Sequence, residues 1–160
     1  MIQYNDIRKV WSQGIKADLG VQVINMNSTA AVPSGPFLTY TFEGVGEGRG
    51  QPVYTQENNR LVQRETVEFT VSFMSSAEDH VTAVNIALRV QDWLRTIGRN
   101  QLKELDVVVS NIGPLDNRDI VVGNEWERRM GFDVDFRTTS VADQDLEYIE
   151  KVKIANKIIT

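Results

Sequence analysis

The run from Thr66 to Phe73 constrains the fold more than any other stretch of this chain. Val67, Phe69, Val71 and Phe73 alternate with Thr66, Glu68, Thr70 and Ser72. A period of two places every apolar side chain on one face of a strand and leaves the other face wet. Ten residues later the period changes. Ala83, Ile86, Ala87, Val90, Trp93, Leu94 and Ile97 recur at spacings of three and four, which is one apolar stripe along a helix. The spacing predicts a helix over 76–97, with Ser75 and Glu78 at capping-box separation and Gly98 as its stop. Arg89 and Arg95 lie in its C-terminal half, where cations suit the helix dipole.

The same two periods organise the rest of the chain. Ile7, Val10, Trp11, Ile15 and Leu19 form a stripe that predicts a helix over 5–19, with Asn5 or Asp6 as N-cap and Gly20 as terminator. Gly14 weakens that helix by up to ~1 kcal/mol relative to Ala. Short strands are expected at 21–25 and 37–43, separated by a breaker-rich loop holding Pro33, Gly35 and Pro36. Residues 44–60 carry Gly44, Gly46, Gly48, Gly50 and Pro52 and read as a long polar connection, the flexible tip of a hairpin. Further strands are expected at 105–112, 120–122 and 130–138, and a last one up to about residue 155. No internal repeat or domain linker interrupts the pattern. The expectation is a single domain over 1–160 of α+β class: a mostly antiparallel sheet packed by two main helices, helices mainly on one face, with a long hairpin arm.

Composition removes whole classes of chemistry. The chain has no cysteine and one histidine, His80. Thiolate catalysis, disulfide scaffolds, zinc fingers and iron–sulfur sites are therefore excluded, and a catalytic triad could rest only on His80. No apolar run approaches the ~20 residues of a transmembrane helix, and the first residues lack the basic-then-apolar pattern of a signal peptide. The net charge of −5 argues against a duplex-binding surface. Eleven arginines stand against six lysines, a bias toward the residue that suits interfaces and bidentate pairs.

Four groups of residues invite a chemical reading, and each has a simpler one. His80 beside Glu78 and Asp79 has the makings of a general base, but no nucleophile accompanies it, and the simpler reading is a solvent-facing helix residue. The alternating glycines 44–50 lack the lysine and following helix of a phosphate loop. Asp116, Asn117, Asp119, Asn124 and Glu125 do not have EF-hand spacing and read as a solvated loop. Asp133 and Asp135 could act as a carboxylate pair. More simply they are the wet face of a strand, paired with Arg128, Arg129 or Arg137. No cofactor or metal is expected from any of these groups.

Several segments together resemble the neck or tail terminator proteins of tailed bacteriophages. They are the N-terminal Asp6-Ile7-Arg8-Lys9-Val10-Trp11, the strand Pro36-Phe37-Leu38-Thr39-Tyr40, the block Val67–Phe73 with Ala77-Glu78-Asp79 and Leu88–Leu94, and the stretch Glu127–Arg137 followed by Tyr148–Val152. The resemblance implies a structural protein without catalysis. It would form a ring, often a hexamer, at the head-proximal end of the tail. The ring would cap the tail tube, join it to the head–tail connector proteins and, in contractile tails, meet the sheath. It implies synthesis in the host cytoplasm, residence in the virion and no contact with membrane. DNA would pass through the ring without specific binding, helped by an acidic wall. On this reading Glu47, Arg49, Tyr54, Glu57 and Arg60 on the hairpin tip, with Arg128 and Arg129, are candidate assembly contacts, and Asp133 and Asp135 are candidates for the lumen. Glu43, Glu47 and Glu57 share that lumen candidacy. The alternatives are a head-closure or tail-completion component and, from a different class, a small ligand-binding domain or enzyme built on His80.

Overall fold

A computed structural model of the protein describes residues 1–146. The chain runs α1 (Tyr4–Leu19), β1 (Gln22–Asn25), β2 (Phe37–Glu57), β3 (Arg60–Ala77), α2 (His80–Arg95), α3 (Ile97–Lys103), β4 (Val107–Ile112), β5 (Asp116–Asn117), β6 (Ile120–Val122) and β7 (Glu125–Asp145). The class is α+β. The expected final strand to about residue 155 concerns residues outside those described.

The alternating run predicted the heart of the sheet. β3 pairs antiparallel with β7 without a register shift from Arg60 opposite Asp145 to Ala77 opposite Arg128. The strand order is β1-β2-β3-β7-β4, and β5 and β6 also pair with β7. β1 runs parallel to β2, so the sheet is mixed but mostly antiparallel.

Because the β3–β7 register is unbroken, side chains on the two strands stack in cross-strand pairs. Phe69 lies opposite Phe136 with ring centroids 5.1 Å apart, and Phe73 lies opposite Phe132 at 5.6 Å. Trp11 of α1 stacks on Phe136 at 5.6 Å and meets Tyr40 and Phe73 edge-on. Val71, Phe73, Phe132, Val134 and Phe136 are fully buried beneath Trp11, Ile15, Val90 and Leu94. The helix-facing side of the sheet is thus an aromatic layer. Such rings add roughly 0.5–1.5 kcal/mol per pair beyond the area they bury.

The longest predicted connection is not a connection. Residues 44–57 continue β2, and the chain reverses at Asn58-Asn59, both with positive φ (49° and 61°). Two left-handed residues match the right-handed twist of flanking strands in a tight hairpin, and asparagine tolerates that geometry. The glycines mark irregularities within the strand. Register shifts fall between Phe42 and Gly44, Gly44 and Glu47, and Arg49 and Val53, with Gly46 and Gly50 at φ 77° and 79°. β7 follows β3 out to Arg60, so the extension is three strands wide.

The helices correct the sequence reading in three places. The second helix starts at His80, not at 76, because Ser75–Ala77 stay paired in β3. Asp79 is its N-cap and accepts from the Thr82 N–H at 3.0 Å, so Ser75 and Glu78 form no capping box. The Ser75 hydroxyl is buried and donates to the Ala83 carbonyl at 2.7 Å. α1 begins one residue early, with Gln3 at the cap and no side-chain cap bond; Asn5 instead accepts from Arg8. Gly20 ends α1 as expected, at φ 70° with its N–H on the Lys16 carbonyl.

The third correction is Gly98, which does not stop the helix. Thr96 breaks it, and Gly98 belongs to α3, giving three helices where two main ones were expected. The reason is Trp93. A Cβ on Gly98 would lie 2.4 Å from its ring, and one on Gly14 of α1 would lie 2.5 Å away. The indole is sandwiched between two helices at their glycines, with its N–H donating to Asp18 at 2.8 Å. Arg89 completes the joint by donating to the Leu19 carbonyl at the end of α1.

Two outcomes follow for denaturation experiments. Trp93→Ala should lose about 3–5 kcal/mol. Gly98→Ala, which propensity alone would favour by ~1 kcal/mol, should instead lose about 1–3 kcal/mol because the ring cannot move aside; a stabilised variant would refute the sandwich. Deleting Gly46–Asn58 strips β3 of its β2 partner over the extension. It should lower the thermal midpoint by more than about 5 °C, whereas removal of a mere loop would leave it near the parent value.

Candidate functional site

The sheet face away from the helices carries the charged side chains of alternate positions. Glu68 sits at its centre, with its side chain only 13% exposed, and accepts from Arg49 of β2 at 2.9 Å and from Arg137 of β7 at 3.2 Å. The Arg49 hydrogen bond, assisted by Arg137, holds the Glu68 carboxyl below the usual glutamate range. Two residues further along β3, the Thr70 hydroxyl donates to Asp135 at 2.7 Å. A step further, Arg118 lies across the sheet, donating to Ser72 at 2.9 Å and reaching Asp133 and Asp116 at 3.5 Å. Its guanidinium rests on Gly131, where any Cβ would meet it at about 2.4 Å. Glycine at 131 is what lets the arginine lie flat.

At the tip of the extension the pairing repeats. Arg64 grips Glu57 through two hydrogen bonds at 3.0 and 3.1 Å. Arg60 grips Asp143 through two at 3.2 Å and thereby holds that carboxyl below its usual range. At the opposite end, Asp119 organises the turn before β6. Its oxygens accept from the Arg129 backbone N–H at 2.7 Å and from the Arg128 guanidinium at 3.0 Å. These bonds, the backbone one foremost, depress its carboxyl. Arg128 also stands over the Trp126 ring at 5.5 Å, and Arg129 pairs with Glu127 at 3.2 Å.

The sequence candidates are therefore dispersed. Glu47, Arg49, Tyr54, Glu57 and Arg60 lie on the extension, and Arg128 and Arg129 lie at the far end of the sheet, the length of the 18-residue β3 away. Arg49, Glu57, Arg60, Arg128 and Arg129 already have partners within the chain. Tyr54 is 60% exposed, and Glu47 has no ion pair among the described residues. Asp133 and Asp135 do share one face, yet their partners are Arg118 and Thr70, not Arg128, Arg129 or Arg137. Glu43 is exposed on β2. His80 is the first, exposed residue of α2. Asp116, Asn117, Asp119, Asn124 and Glu125 do not converge: among the described residues no three acidic or histidine side chains are placed to hold a metal ion. No helix among them is long and apolar enough to cross a membrane.

Sequence reasoning missed the apolar hairpin β6–β7. Val121 pairs with Trp126 across a turn at Gly123 (φ 66°), and Val121, Val122 and Trp126 are each more than half exposed. The Ile-Val-Val run flanked by Gly-Asn was the available signal.

A stripe of helices on one face, a charged opposite face and an exposed apolar hairpin describe a surface made for contacts. The family model for phage neck terminator proteins matches residues 5–160, and the chain belongs to that family. It is a structural protein of the phage neck. No curated protein sequence matches it.

Asp119 supplies a test. Its carboxyl is depressed in the fold, so its contribution is fully present above the ordinary aspartate range and is lost as pH falls through the lowered value. Asp119→Asn should be less stable than the parent at neutral pH, and the gap should close on acidification. Denaturation midpoints measured from pH 7 to 3 would read this out; parallel curves would assign Asp119 no such role.

Proposed function

We propose that this protein assembles as a closed ring, often six-membered in such proteins, that caps the tail tube and joins it to the head–tail connector. It works through contacts without catalysis. The observation that carries the reading is the outer edge of β2. β1 covers it only as far as Tyr40, so residues 41–57, paired with β3 on one side, have no strand on the other among the described residues. On the opposite side of the same sheet, β4 covers β7 only from Val134 to Thr138. Beyond it, the Met1 amino group donates to the Val141 carbonyl, and among the described residues no strand pairs with β7 past Thr138 on that side.

Two different edges on opposite sides of one subunit are the elements of a heterologous, head-to-tail interface. Repeated by a rotation that divides the circle, that interface closes into a ring. Main-chain edges supply affinity and the side chains beside them supply register. Because five of the seven candidate contacts are engaged within the chain, Tyr54 and Glu47, with exposed Val45 and Val53, fit an intersubunit role best. DNA passing such a ring meets a surface whose arginines are already neutralised by carboxylates, under a net charge of −5. That combination disfavours phosphate binding.

The experiment is mass measurement by light scattering, with negative-stain imaging of the purified protein and a search for it in purified particles. Rings that bind the free end of tail tubes are expected. A chain that stays monomeric at all concentrations and is missing from particles would refute the proposal.

A further inference from the structure

Beside the β6–β7 hairpin lies a cavity of about 240 Å³ whose lining residues include Phe37, Val122 and Trp126 together with Glu78, Glu125 and Glu127. Glu127 is paired with Arg129, and Arg128 beside it with Asp119, so the local arginines are spent. Glu78 and Glu125 have no ion pair among the described residues. Ser76 also lines the cavity. It is 1% exposed, and its hydroxyl finds no hydrogen-bond partner among the described residues. An aromatic, apolar pocket with two uncompensated carboxylates and an unused buried hydroxyl suits a segment that is both apolar and basic.

The chain contains one such segment. Lys151-Val152-Lys153-Ile154-Ala155-Asn156-Lys157-Ile158-Ile159 carries three lysines and no carboxylate, against a net charge of −5 for the whole chain. It also holds half of all the lysines. It follows Leu146, whose N–H donates to the Asn59 carbonyl at the tip of the three-stranded extension. The cavity is at the other end, beside Ser76 and Ala77. β3 alone, 18 residues from Arg60 to Ala77, spans roughly 55–60 Å at about 3.3 Å per residue. Lys157, eleven residues past Leu146, reaches at most about 40 Å even fully extended. The segment therefore falls short of the cavity of its own subunit.

We propose that residues 151–159 of one copy dock into the Trp126 cavity of the neighbouring copy, lysines on Glu78 and Glu125 and isoleucines against Val122 and Phe37. This rests on the reading that copies of the chain assemble, and adds a second, tail-mediated link to the sheet-edge contact. Because the attraction is between partly exposed charges, the link weakens with salt.

The absence of cysteine from the chain makes the test direct. Val122→Cys is combined by mixing with Val152→Cys, Ile154→Cys or Ile158→Cys, each in an otherwise full-length chain, under mild oxidation. Val122 is more than half exposed, so its replacement leaves the core untouched. A disulfide-linked pair of chains from at least one mixture is expected, suppressed tenfold or more by Glu78→Lys with Glu125→Lys. In the chain carrying both cysteines, oxidation should give a ladder of linked subunits and no internally linked monomer. An internally linked monomer, or no mixed disulfide at any of the three positions, would overturn the docking. Circular dichroism of each variant confirms folding, and Ile154→Ser in the parent gives a second reading by its subunit exchange rate, expected to rise. Rings that form without the disulfide would end this inference and leave the ring proposal standing; a uniformly monomeric protein would end both.

Discussion

The unbroken pairing of β3 with β7 is the interaction on which the remainder of the structure depends. β2 pairs along the outer side of β3, and β4, β5 and β6 in turn along β7; β1 is held through β2. A one-residue slip of either strand in this ladder would turn its own phenylalanines, Phe69 and Phe73 or Phe132 and Phe136, to the charged face and bring Glu68 or Asp135 into the core. The aromatic stack and the arginine–carboxylate ladder are the two faces of a single register choice. Trp11, resting on Phe136, carries that choice from the sheet into the helical layer, and Trp93 carries it on from α2 into α1 and α3.

What was legible in the sequence follows from this. Val67–Phe73 and Phe132–Phe136 are read correctly as strands because each has one buried face, and the stripe from Ala83 to Leu94 because the helix above it has one too. The glycine-rich 44–50 stretch misled because strand propensity is a matter of context. Its backbone is held extended by β3 through three register shifts, and glycine is the residue that bends a strand at such bulges. Gly14 and Gly98 misled for a related reason. A helix reading prices them against alanine, whereas their value lies in the contact each makes with a ring distant in sequence or in the next helix. The break at Thr96 has no local signature, since the apolar stripe continues through Ile97.

The candidate site was less legible than the fold. Arg49, Glu57, Arg60, Arg128 and Arg129 stand out as a charged set in the sequence, but which carboxylate meets which arginine depends on register. Glu68 meets Arg137 only because those residues face each other across β3 and β7, and Arg118 reaches Ser72 only because position 131 is glycine. Once these pairs are made, most of the charge on the sheet is internally balanced. Exposed pairs of this kind contribute little stability each; their larger effect is to fix which charges remain available. Glu47, Glu78 and Glu125 are among those that do.

The outer edge of β2 past Tyr40, uncovered among the described residues, raises the question of how it avoids indiscriminate pairing, since a long open edge is a template for another strand. Its own irregularities answer it. Bulges at Gly44, at Glu47 and before Val53 interrupt the row of main-chain donors and acceptors, and Pro52 removes one N–H outright. A regular strand cannot lie along this edge over its whole length. A partner must carry the complementary irregularity or touch it at a few points, so the edge does not accept an arbitrary strand. The same glycines that make the stretch look like a loop in the sequence thus give the edge its selectivity, and they do so without a single charged contact.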